Sequence, residues 1–329
     1  MSSMTTPEVS AGPTSARGPR VNREHLAQAG PYLLLMALCI IATLLSSAFL
    51  TGENITNVLR QSSPLLVVAA GQTLVILVGG IDVSVGAVVS FTTVIGGSVM
   101  ASSNTKILPT VALVLGFGVL VGLVHALLIV KLGTDPFVTT LGTMLCLNGL
   151  DLVYSGGSPR SGVTPEFRGL TQNSVLGIPI VVYVVAVLTA LLIVALTGST
   201  WGRRVHAAGG NAAAARLSGI RVERAQASTY VLCSVLAVVG GLILLARIGT
   251  GDTGVGDAYT LNSIAAVLIG GTVFGGGRGG VGGSIAGVLI LAVLFNVFNL
   301  LGVSNYARPV VLGVVVILGI ALYTRRRTS

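Results

Sequence analysis

Long apolar stretches alternate with short polar ones along nearly the whole chain. The apolar runs fall near 31–49, 62–79, 84–101, 108–130, 137–153, 179–197, 228–246, 262–275, 281–301 and 309–323. Each approaches the about 20 residues that an α-helix needs to cross a bilayer. The pattern therefore predicts an all-α integral membrane protein with about ten transmembrane helices. The second, third and eighth runs abut glycine clusters and fall short of 20 clean residues, so glycine-interrupted helices are expected there. The first run, Pro31 to Phe49, is too long for the apolar core of a signal peptide and lacks a small-residue cleavage pattern, so it reads as a retained span.

Composition agrees with the pattern. Of the 329 residues, 53% are hydrophobic and 9% charged, whereas a soluble domain carries roughly a quarter charged residues. The formal charge of +9 raises the question of a nucleic-acid partner, but placement answers it: the basic residues lie between spans. With ten spans and an inside amino terminus, 13 of the 19 basic residues face inward: Arg17, Arg20, Arg23, Lys131, Arg203, Arg204, Arg216, Arg221, Arg224, Arg278 and Arg325 to Arg327. The outer segments hold Arg60, Lys106, Arg160, Arg168, Arg247 and Arg308. This is the positive-inside bias. It puts both termini in the cytoplasm, makes membrane lipid the chain's surroundings and calls for no nucleic acid. Residues 1–30, rich in Ser, Thr, Pro and Gly, read as a disordered cytoplasmic tail, 31–323 as the transmembrane domain and 324–329 as a basic cytoplasmic tail.

Little in the chain suggests covalent chemistry. Cys39, Cys146 and Cys233 are far apart inside apolar runs and form no CxxC, so no zinc site or disulfide framework is expected. No GxxxxGK[ST] occurs, and no soluble segment is large enough to hold a nucleotide. The expectation is no catalytic residue, no metal and no cofactor bound by this chain.

Three stretches do stand out. In Gly71–Gly86 a hydrophobic run breaks at Gly79-Gly80-Ile81-Asp82-Val83-Ser84 and then resumes. Lipid leaves free backbone groups unsatisfied, so such a break is buried in protein or lines a wet cavity. Asp82 either caps the third span or belongs to a solute path. His125, well inside the fourth run, reads as a pore-facing or helix-bridging polar contact, or as a proton relay. The third stretch is Gly202–Ile220. Asn211 is placed to cap a short helix through the following alanines and Arg216, with Gly219 stopping it. Such a helix, small on one side and basic on its flanks, suits docking into a groove on a partner. By contrast, Gly118-Val-Leu-Val-Gly122 and Gly283-Ser-Ile-Ala-Gly287 are small-xxx-small pairs for close helix packing, and Gly275–Gly280 reads as a flexible inner turn.

These motifs come in an order that resembles the permeases of ribose-type ABC importers. They are Gly71–Gly86, Asp135-Pro136-Phe137-Val-Thr-Thr-Leu-Gly-Thr-Met144, Tyr154-Ser-Gly-Gly-Ser-Pro159, Gly202–Ile220, Ile264-Ala-Ala-Val-Leu-Ile-Gly-Gly271, Gly276-Gly277-Arg278-Gly279 and Asn299–Tyr306. The likeness covers roughly 31–323. It implies a second permease copy, a cytoplasmic ABC ATPase that holds ATP and Mg, and a periplasmic or lipid-anchored solute-binding protein, all at a bacterial inner membrane. It implies further that 198–227 is the segment that couples to the ATPase, with Gly202, Arg203, Arg204, Gly209, Gly210, Asn211, Ala215, Arg216 and Gly219 in it. Asp82, Ser84, His125 and Asn148 are the candidate residues of the solute path. Two departures bear on the solute: His125-Ala126 stands where the family commonly has Asn-Gly, and Thr260-Leu261-Asn262 where many members carry Glu-Leu-Asp. An ion- or proton-coupled transporter acting alone is the alternative from another class. It calls for several intramembrane acids, of which the chain offers Asp82 and Asp151 beside His125. An intramembrane enzyme would need a paired catalytic cluster, and none is present.

Overall fold

A computed structural model describes residues 21–303 with 310, 313 and 314, and side chains from residue 29 onward. The helices in chain order are α1 (Val21–Leu45), α2 (Gly52–Leu77), α3 (Val85–Met100), α4 (Ile107–His125), α5 (Pro136–Ser155), α6 (Pro165–Gln172), α7 (Ile180–Gly198), α8 (Thr200–Gly210), α9 (Ala212–Leu217), α10 (Val222–Ile248), α11 (Asp257–Ile269) and α12 (Val281–Leu300). A π-helical segment, Ala126–Lys131, extends α4. Each of the first nine expected spans overlies one of these helices, while the tenth, 309–323, lies outside the described residues. Among the described residues, five apolar segments are long enough to cross a membrane: α4 with its extension, α5, α7, α10 and α12; α3, α11 and part of α1 are shorter and apolar. The chain is thus a multi-pass, all-α membrane protein.

Boundaries shift where local chemistry overrides hydropathy. Helix α1 begins at Val21, ten residues before Pro31, so the end of the stretch expected to be disordered is helical. α2 starts at Gly52 because Thr51 accepts the Asn54 N–H and caps it. Its polar first half, with Arg60 and Gln61, is invisible to an apolar count. The eighth span ends at Ile269 rather than near 275, since Gly271 takes a left-handed φ of 85°. α5 starts as its sequence suggests: Asp135 accepts the Val138 N–H at 3.0 Å, and Pro136 occupies the first turn, where its missing N–H costs nothing. The 154–178 loop is ordered by α6 and by a small hairpin of β1 (Ser174–Val175) and β2 (Ile178–Pro179).

α10 is the axis of the bundle. It packs on α2, α3 and α4, and 67% of its apolar window is buried, against 17% for α5 at the periphery. Apolar burial drives little helix association in lipid, so close backbone approach has to supply it. Both small-xxx-small pairs do so. A Cβ on Gly122 would strike the Val231 backbone, and one on Gly118 would come 2.8 Å from Val238 Cγ2 on α10. Gly283 and Gly287 press on the Gly270 and Ala266 carbonyls at the end of α11. Gly122→Leu should therefore destabilise the detergent-purified protein by the about 1–3 kcal/mol typical of overpacking, and so lower its thermal midpoint. Gly116→Leu, on the same helix with open space around it, should leave the midpoint unchanged.

Candidate functional site

The break between α2 and α3 is where the expected polar residues meet. Gly79 takes a left-handed φ of 82°, and a Cβ on Gly80 would collide with the Tyr230 hydroxyl. Asp82 Oδ1 accepts the Ser84 N–H at 2.9 Å and the Ser84 hydroxyl at 2.6 Å. The carboxylate thus closes the loop that leads into α3 rather than capping the helix, whose N-cap, Ser84, makes no side-chain cap bond. Neighbouring elements satisfy three further backbone groups. Thr140 of α5 accepts the Val83 N–H at 3.1 Å, and Thr260 of α11 accepts the Gly86 N–H at 3.1 Å while donating to the Val83 carbonyl.

His125 completes this cluster as a helix-bridging contact. Its Nδ1 is 3.6 Å from Asp82 Oδ2, and both side chains are essentially inaccessible, at 0% and 1%. Its Nε2 is 3.1 Å from the Thr143 hydroxyl, which itself donates to the Thr139 carbonyl. The Thr143 hydroxyl thus links the ring to the backbone of α5. At 3.6 Å the Nδ1–Oδ2 contact is longer than a hydrogen bond, and neither atom has a hydrogen-bond partner among the described residues. Tyr230 packs edge-on against the ring, centroids 6.0 Å apart.

The structure thus brings Asp82, Ser84 and His125 together but seals them in the interior of the bundle, where they line no open path in this conformation. Asp82 and His125 are partners from distant parts of the chain, whereas Ser84 bonds to Asp82 two residues away. Asn148 is apart from them, half-buried on α5 and without a hydrogen bond among the described residues. Asp151, also on α5, is buried, and its Oδ1 has no hydrogen-bond partner. Tyr230, Thr140, Thr143 and Thr260 were not singled out for this site from sequence. Thr260 was the most accessible of them, as one of the positions that depart from the family pattern.

The second cluster is the 198–227 segment. Ser199 accepts the Gly202 N–H at 3.1 Å and starts α8, a helix that its glycines conceal in the sequence. Gly202 is obligatory in this turn, because a Cβ would strike the Leu196 carbonyl. Asn211 accepts the Ala214 N–H at 3.0 Å and caps α9, and Gly219 follows with a φ of 78°, as expected. Ala215 is buried; Arg203, Arg204, Gly210, Asn211 and Arg216 are exposed, and Leu217 is 92% exposed. Arg216 pairs with Glu223 at 2.9 Å in the open, where such a bridge contributes little.

Gly209 does not face outward. A Cβ there would strike the Leu77 carbonyl at the end of α2 and approach Gly277 N at 2.7 Å, while the Gly277 N–H donates to Leu77 O at 2.8 Å. Gly276 and Gly277, both with left-handed φ, complete a junction in which α8, the end of α2 and the 275–280 loop meet backbone to backbone. The loop expected to be a flexible turn is instead part of this junction. The break and the 198–227 segment are therefore one connected structure, joined at Leu77.

The family described as "Branched-chain amino acid transport system / permease component" matches residues 54–320. A ribose import permease protein of Bacillus subtilis is 38% identical over 297 residues, covering 89% of this chain and 91% of the relative. That of Escherichia coli strain K12 is 36% identical over 299 residues, covering 90% and 93%. The galactose/methyl galactoside import permease protein of the same strain is 31% identical over 325 residues, covering 92% and 97%. No solved structure matches significantly.

If Asp82 and His125 form one buried pair, Asp82→Ala and His125→Ala should each strip the partner of its compensation and destabilise the protein by about 3–5 kcal/mol. The double substitution should cost clearly less than the sum of the two. Thermal unfolding of all four proteins in detergent checks this.

Proposed function

From the chain's membership of the branched-chain amino acid transport system permease family, we propose that it is the membrane-spanning subunit of a bacterial ABC importer for a sugar or sugar-like solute. Its relatives named for ribose and galactose import support that solute class. The subunit does no covalent chemistry. It forms the translocation path in the inner membrane with ten spans, receives solute from a solute-binding protein at its outer loops, and draws on ATP and Mg held by a separate ATPase.

One observation carries the coupling reading. α9 holds a nearly fully exposed leucine, Leu217, beside capped alanines on a segment braced against α2. An apolar residue standing free of the bundle on a short, well-capped helix suits a groove on a cytoplasmic ATPase. A push on α9 would reach α8, then Leu77, then the break at 78–84. A second copy is proposed to cover α5, whose Leu145 and Val153 are 62% and 84% exposed.

The proposal predicts that Leu217→Asp inserts in the membrane and unfolds at the wild-type midpoint, yet loses at least about tenfold in ATPase capture, as expected for an anchor residue of an interface. Copurification of the ATPase and ATP-dependent uptake into proteoliposomes check it. Uphill uptake by the purified chain alone would favour the ion-coupled alternative instead.

A further inference from the structure

Beside the 198–227 segment lies a cavity of about 370 Å³ lined by Trp201, Arg204, Gly219, Arg221, Arg224, Ala225 and Ser228. Its walls are of two kinds. Trp201 and Ala225 supply apolar surface, the indole held in place by its N–H donating to the Ser228 hydroxyl at 2.8 Å. The lining also includes three exposed arginines, Arg204, Arg221 and Arg224. Among the described residues, neither Arg204, Arg221 nor Arg224 forms an ion pair; the one acid close in sequence, Glu223, is engaged by Arg216. Three like charges around one small cavity repel unless an anion joins them, and guanidinium pairs well with phosphate oxygens through paired N–H donors.

The cavity's height suggests where such an anion comes from. Trp201 follows the end of the apolar span α7 by three residues, and Ala225 and Ser228 lie in the first two turns of the apolar span α10. The site is thus at the level where a span leaves the hydrocarbon, which is where tryptophan collects and where phospholipid headgroups lie. A basic pocket between spans on the inner side suits an anionic headgroup, and the volume falls within the range of small-ligand sites. We propose that this cavity binds the phosphate of an anionic phospholipid, with Arg204, Arg221 and Arg224 on the headgroup and Trp201 against its glycerol end. The proposal rests on the membrane reading alone, so its failure leaves the transport reading standing.

The test uses the full chain in nanodiscs of phosphatidylcholine with or without phosphatidylglycerol. Lipids retained on transfer to the gas phase are counted by native mass spectrometry. Wild-type protein should retain phosphatidylglycerol in preference, and the Arg221→Gln/Arg224→Gln variant should retain about tenfold less. Arg203→Gln, which removes an exposed charge from the same helix outside the cavity, should retain wild-type amounts. An equal loss in Arg203→Gln would show diffuse charge and overturn the site. So would unchanged retention in the double variant, or displacement of the lipid by millimolar inorganic phosphate. If ATPase capture falls in the double variant while lipid retention is unchanged, the cavity belongs to the ATPase and the proposal is wrong. Arg204→Gln provides a second, independent variant should the double one unfold early.

Discussion

A helix interrupted inside a membrane protein exposes backbone groups that lipid is unable to satisfy, and the structure is organised around meeting that demand at residues 78–84. Several groups in and beside this stretch find partners, most of them on other elements. Leu77 O is taken by Gly277 N, Val83 N by Thr140, Val83 O and Gly86 N by Thr260, and Ser84 N by Asp82. One short loop thereby ties together α2, α3, α5, α11 and the 275–280 turn, and through His125 it also reaches α4. The remaining helices are placed by where these partners have to stand.

The same loop explains why glycine is so frequent. Around the break, backbone meets backbone with no room for side chains: Gly209 on Leu77, Gly277 on Gly210, Gly86 on Gly256. Along α10, Gly118 and Gly122 achieve the same closeness between spans. Tight backbone junctions are stiff, because no flexible side chain lies between the parts to absorb a displacement. A force applied at α9 therefore has a short rigid route to the break, which is the mechanical requirement for a subunit that relies on an external ATPase.

Much of this was legible from sequence, for identifiable reasons. Span positions follow from apolar length, and the caps at Asp135 and Asn211 and the stop at Gly219 follow from residues adjacent in the chain. What stayed hidden is non-local. Asp82 and His125 each stand alone in the sequence, and nothing local says that they are partners. Gly209-Gly210 and Gly275–Gly280 look like chain breakers because the carbonyls they press on lie far away in the chain. The same glycines hid α8, and the polar residues Val21–Gly30 hid the start of α1.

The central claim is that the inner segment moves the break through the Leu77 junction rather than through its own flexible attachment. ATP-driven solute uptake by Gly209→Ala and Gly210→Ala proteins, each assembled with ATPase and binding protein in proteoliposomes, tests this most directly. Only the first methyl group enters the junction; the second meets Gly277 Cα at 4.0 Å, an ordinary contact. The account predicts that Gly209→Ala still captures the ATPase but takes up solute far more slowly than Gly210→Ala, which behaves as wild type. Equal uptake by the two proteins would contradict it.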